Sequence, residues 1–183
     1  MEYFYPNYTF DIFLSINNQL RTIIKDLKTS IWIDGLDEKG AKASLRLISN
    51  DVSFGEFDIE VSNWDQGHLH VDIMAQIKEI SLFDQDLDQI DSDSLMDKYK
   101  ELKPIIRDGT VQRIGDKSRN ESEKVIRRTL DIRFRAVNEF YEDSSEDPDE
   151  FDIDIDEIAK KTMPFARAML EITTYINSKQ TSR

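Results

Sequence analysis

The sequence predicts an α+β domain: an N-terminal helix, a four-stranded antiparallel β-meander, then three C-terminal helices. Three observations carry this expectation. Residues 10–28 hold apolar side chains at helical spacing, namely Ile12, Phe13, Ile16, Leu20, Ile23, Ile24 and Leu27. Residues 31–80 switch to strict alternation of apolar and polar positions, the mark of strands with one buried face. Beyond residue 90 the apolar positions again fall at intervals of three and four.

Taken in order, Asp11 near the start of the first helix and Lys25 and Lys28 near its end suit the helix dipole. Ile31-Trp32-Ile33 reads as a short strand stopped by the segment from Gly35 to Gly40. Ala43, Leu45 and Leu47 alternate with Lys42, Ser44 and Arg46 in a second strand, and the chain turns at Asn50–Ser53. Phe57, Ile59 and Val61 then alternate with Glu56, Asp58 and Glu60. After a break at Asn63–Gly67, Leu69, Val71, Ile73, Ala75 and Ile77 form the apolar side of the fourth strand. We expect Ser62 to face His68, Val61 to face Leu69, Ile59 to face Val71 and Phe57 to face Ile73. That register places Glu60 beside His70 and Asp58 beside Asp72 on the outer face.

Asp93 or Ser94 is placed to cap a helix running to Arg107 and bent at Pro104. Asn120-Glu121-Ser122-Glu123 fits a capping box ahead of the stripe Val125, Ile126, Leu130, Phe134, Val137 and Tyr141. From Ile155, the positions Ile158, Thr162, Phe165, Ala166, Met169, Ile172, Thr173 and Ile176 continue at helical period through Pro164. This predicts a kinked last helix or two abutting ones. One domain over residues 1–183 follows: helix and sheet in 1–80, and a mainly helical 81–183 with an acidic loop at 142–154.

With 37 acidic against 24 basic residues and a net charge of −13, the surface repels nucleic-acid phosphates and favours basic partners. The chain has no cysteine, which removes disulfides, thiolate catalysis and Cys-based zinc sites. No apolar run reaches the roughly 20 residues of a membrane span, and the first residues do not resemble a signal peptide. A cytoplasmic protein that binds neither membrane nor nucleic acid directly is expected.

Chemistry-bearing motifs are few. The two histidines, His68 and His70, stand in the order His-x-His-x-Asp with Asp72, so one strand face would present all three. Imidazole with carboxylate suits zinc, manganese or iron, and a metal-dependent enzyme is one reading. A polar sheet face neutralised by Lys42 and Arg46 is the other. Calcium-loop spacing fails from both Asp84 and Asp152, where Gln89 and Glu157 replace the needed glycine. No phosphate-binding glycine loop and no nucleophile elbow occur, and no cofactor is implied.

Charge segregation is the stronger pattern. Basic residues crowd 103–135, whereas Asp84, Asp86, Asp88, Asp91 and Asp93 precede them. Glu146, Asp147, Asp149, Glu150, Asp152 and Asp154 follow within a stretch that has no basic residue. These acids, with Trp64 and Asp65 at the hairpin tip, are the expected partner-binding residues, and Trp32 on the outer sheet face is a second anchor. The expected function is a protein-binding module that blocks a basic macromolecular partner, itself a nucleic-acid-binding protein in one version. Size and acidity suit inhibitor or immunity proteins, including phage-encoded anti-defence proteins and nucleic-acid mimics. A structural subunit forming a homodimer through its sheet face or last helix is the third reading.

Overall fold

The computed structural model describes residues 5–37, 40–65, 68–83, 94, 97–114, 124–142 and 151–180. The elements are α1 (Tyr5–Ile23), β1 (Lys28–Asp37), β2 (Gly40–Ser49), β3 (Val52–Asp65) and β4 (His68–Phe83). A single 3-10 turn (Lys100–Leu102), β5 (Ile105–Ile114), β6 (Lys124–Glu142) and α2 (Ile155–Gln180) complete the order. The strands form one six-stranded sheet in the order β1-β2-β3-β4-β6-β5, with every neighbouring pair antiparallel. The α+β class, the N-terminal helix, the β1–β4 meander and the C-terminal helix agree with the sequence.

Both helices pack on one face of the sheet. α1 lies over β2 and β3, α2 lies over β3, β4 and β6, and the two helices touch each other. Their apolar stripes meet the inward residues Leu45, Phe57, Ile59, Val71, Ile73 and Phe134, which are fully buried. α1 starts at Tyr5, ahead of the expected residue 10, with Pro6 in a first turn that has no use for its missing N–H. It ends before Asp26, whose φ of 56° turns the chain towards β1. Asn50 and Asp51, with φ of 51° and 61°, form the two-residue β2–β3 turn, a conformation asparagine and aspartate tolerate.

α2 passes through Pro164 as one element, with the proline on its exposed side. Its first turn is fixed by the chain's own acids. Asp154 Oδ1 accepts from the Glu157 N–H at 2.9 Å, and Ser15 Oγ of α1 donates to Asp156 Oδ1 at 2.6 Å. Gln19 Nε2 also donates to the Asp156 carbonyl at 3.1 Å, so α1 holds the start of α2. Where α2 crosses β3, Gly55 leaves room for Met169: a side chain at this position would collide with the Met169 sulfur.

Three expectations fail. Of the helix expected from Asp93 or Ser94 to Arg107, the described residues Ser94, Asp97 and Lys98 are helical, but it does not run to Arg107: the 3-10 turn follows, and Pro104 precedes a strand beginning at Ile105. The stripe from Val125 to Tyr141 belongs to β6, not to a helix. Ile132 and Phe134 face the core at a spacing of two, and then a bulge skips Ala136 so that Val137 faces inward as well. The resulting interval of three imitates a helical step. Of three C-terminal helices expected, the described residues therefore contain one long helix, α2, and the sheet has six strands rather than four.

The hairpin register is also corrected. Ser62 pairs with His70, Val61 with Val71, Ile59 with Ile73 and Phe57 with Ala75, two residues from the expected alignment. β3 continues through a bulge at Trp64 to Asp65, which pairs with His68, so the connection is shorter than the expected break at Asn63–Gly67. Glu60 consequently lies opposite Asp72, and Asp58 opposite Met74. A slip of two keeps every side chain on its face, which is why alternation could not detect it.

Candidate functional site

The two faces of the sheet offer different chemistry. On the outer face, side chains align in rows across the strands: Trp32, Ser44, Asp58, Met74 and Arg135 in one, Lys42, Glu60, Asp72 and Asn138 in the next. Charges there are largely paired within the chain. Arg135 forms a fork on Asp72, with Nε and Nη2 each 3.1 Å from a carboxylate oxygen. Lys78 bridges Glu56 and Asp58, while Lys42 approaches Glu60 and Arg46 approaches Glu56, each at 3.9 Å. Gln76 donates to both Glu56 and Asp58, and Ser44 Oγ lies 2.7 Å from both Asp34 and Asp58. Burial alone would lower the Lys78 ammonium pKa, but hydrogen bonding to Glu56 and the charges of Asp58 and Glu56 leave it raised. A hollow of about 210 Å³ between Lys42, Asp58, Glu60, Asp72 and Arg133 is thus walled by groups of both signs.

His68, His70 and Asp72 do share this face, as the alternation requires, but their partners differ from those of a ligand set. The His70 ring is buried, stacks on Phe140 at 4.4 Å and meets Asn138 Oδ1 through Nε2 at 2.7 Å. Asp72 is engaged by Arg135, and His68 is exposed. Among the described residues, no group of three or more His, Asp or Glu side chains is disposed to hold a metal ion.

The acidic residues expected to bind a partner divide by position. Asp84, Asp86, Asp88, Asp91, Asp93, Glu146, Asp147, Asp149 and Glu150 lie outside the described residues. Trp64 and Asp65 end β3, Asp152 is exposed, and Asp154 is the cap of α2. Other acids near α2 are matched by the chain's own cations. Lys161 contacts Glu139 at 2.5 Å and Glu157 at 3.3 Å, and Lys98 contacts Glu171 at 2.8 Å. Burial would raise the Glu139 carboxyl, but hydrogen bonds from Lys161 and the Tyr141 hydroxyl outweigh it and hold the pKa below the ordinary value. Burial, with that same carboxylate as acceptor, pushes the Tyr141 hydroxyl up.

The site that sequence reasoning missed lies at the β1 margin of the inner face. Rows that are buried on β2–β4 run out from under the helices when they reach β1. Ile33, level with Ala43, Ile59 and Ile73, is 74% exposed, whereas those three are buried. Ile31 and Leu36 are likewise exposed, as is Phe10 on the neighbouring side of α1. Together with Phe13, Ala41 and Ala43 these side chains line a cavity of about 510 Å³, rimmed by Thr9 and Lys42. On the opposite side of the same strand Trp32 is 63% exposed. Of the ten large hydrophobics exposed among the described residues, seven (Phe10, Leu14, Ile23, Ile31, Trp32, Ile33 and Leu36) belong to α1 and β1. The available signal was the triplet Ile31-Trp32-Ile33, apolar on both faces of a strand where one face meets solvent.

No protein-family model matches the chain, and comparisons with curated proteins and with solved structures give no significant match. Among the described residues no helix is long and apolar enough to cross a membrane.

Proposed function

We propose that the chain is a protein-binding module that takes an extended, apolar segment of a basic partner protein into the groove between α1 and β1. The carrying observation is the groove itself, about 510 Å³ of space walled by Phe10, Phe13, Ile31, Ile33 and Leu36 beside the margin of a sheet. Concave apolar space of this size is where side chains of a ligand are desolvated, and it opens beside the marginal strand β1. The net charge of −13 selects among such segments: it steers basic ones inward and repels acidic ones. A segment held in the groove is withheld from its other contacts, which is how a module of this kind blocks its partner.

Calorimetric titration with synthetic extended peptides tests this reading. A peptide alternating Leu with Lys should bind and its Leu/Glu counterpart should not. Phe10→Asp should abolish the binding, and raised salt should weaken it by screening the steering charges while the apolar contribution persists. Binding indifferent to Phe10→Asp, or equal for both peptides, would remove the proposal.

A further inference from the structure

We infer that a second copy of this chain docks on β1 edge to edge, antiparallel, about a twofold axis through Trp32, and that this pairing joins the two apolar grooves into one. The inference rests on the docking reading for the use made of the joined groove, but not for the pairing.

β1 is a ten-residue strand at the end of the strand order, so among the described residues one of its edges is unpaired within the sheet. Its centre is a palindrome, Ile31-Trp32-Ile33. An antiparallel partner centred on Trp32 sets each Trp32 beside the other and each Ile31 beside Ile33 of the second copy. Facing residues then agree in orientation. Ile31 and Ile33 sit level with the inward Leu45 and Ala43, while Trp32 sits level with the outward Ser44. Four isoleucines meet on the groove side and two indoles on the other, all from side chains that are exposed in one copy. A twofold interface requires such self-complementarity, since each residue must fit its counterpart's surroundings.

Charge permits the contact. Although the chain carries −13 overall, Lys28–Ile33 contains no acidic residue. In this register Ser30 falls opposite Asp34, so no like charges face each other. The bulge between Ile33 and Gly35 bends the strand away beyond that point, which confines the regular pairing to the central residues. The groove of one copy is floored by Ile31 and Ile33 and open on the side away from α1. Pairing supplies the missing floor with Ile33 and Ile31 of the second copy and places its α1 as the far wall.

Sedimentation of the full chain over a concentration series should show a species of twice the chain mass. Trp32→Lys, outside the groove lining, should weaken self-association roughly a hundredfold or more, because the twofold removes the indole twice. Because the chain lacks cysteine, Trp32→Cys should cross-link under mild oxidation. Ile105→Cys, exposed on the opposite margin of the sheet, should not. Circular dichroism and a melting curve identify any variant that has unfolded. A chain that stays monomeric throughout, a dimer insensitive to Trp32→Lys, or equal cross-linking at Ile105 overturns the inference. The Leu/Lys peptide separates the two ideas. Monomeric Trp32→Lys protein should bind it about tenfold more weakly, having half the groove. Binding as tight as that of the unaltered chain would leave the docking reading standing and reject the joined groove. Loss of binding in Phe10→Asp with dimerisation intact is expected from both.

Discussion

Ile59 and Ile33 occupy one row of the inner face, two strands apart, yet Ile59 is fully buried and Ile33 is 74% exposed. The residue type, the face and the strand geometry are the same. What differs is the footprint of the helices: α1 lies over β2 and β3, and although Asn17 Oδ1 accepts from the Thr29 hydroxyl of β1 at 3.1 Å, Ile33 is left exposed. The hydrophobic effect acts on area removed from water, so the same isoleucine contributes to folding at one position and to association at the other.

Substitutions can break or sharpen that contrast. Phe57→Ala, in the covered part of the neighbouring row, should cost about 3–5 kcal/mol in chemical denaturation, through lost burial and the cavity left behind. Gly55→Val tests the closeness of the cover. Its side chain would have to displace Met169, and a loss of about 1–3 kcal/mol is expected from overpacking. Asp154→Ala removes the cap from the helix that forms the cover and should cost about 1 kcal/mol, partly recovered by Asp154→Ser. Glu139 gives the pH dependence. Its folded pKa is depressed, so its contribution is present above the ordinary value of 4.5 and disappears as pH falls through the folded value. Glu139→Gln should therefore flatten stability below pH ~4.5, by well under 1 kcal/mol because the ion pair with Lys161 is partly solvated. Smallest of all, Ile33→Asp should leave stability within about 0.5 kcal/mol of the unaltered chain while abolishing docking. A large loss of stability there would show that the margin belongs to the core after all.

Much of the covered region was legible in the sequence, and the margin was not. The stripe of α1, the alternation of β2–β4 and the periodicity of α2 each report a single element burying one side, which is what local pattern encodes. β6 escaped because the bulge at Ala136 converts a two-residue rhythm into an interval of three between Phe134 and Val137. The hairpin register escaped because a shift of two preserves the alternation that defined it. The groove escaped for a different reason. Ile31 and Ile33 alternate as core residues do, and only the placement of α1 over β2 and β3 decides that they are left uncovered.

The contact between α1 and the first turn of α2, through Ser15, Gln19 and Asp156, joins segments from opposite ends of the described chain. During synthesis, β3 and β4 emerge well before the helix that closes over them. At ordinary translation rates, β3 and β4 wait on the order of ten seconds with their apolar side half sheltered. The nascent polypeptide therefore passes through a stage at the ribosome in which the future seat of α2 on β3 and β4 is still open to water.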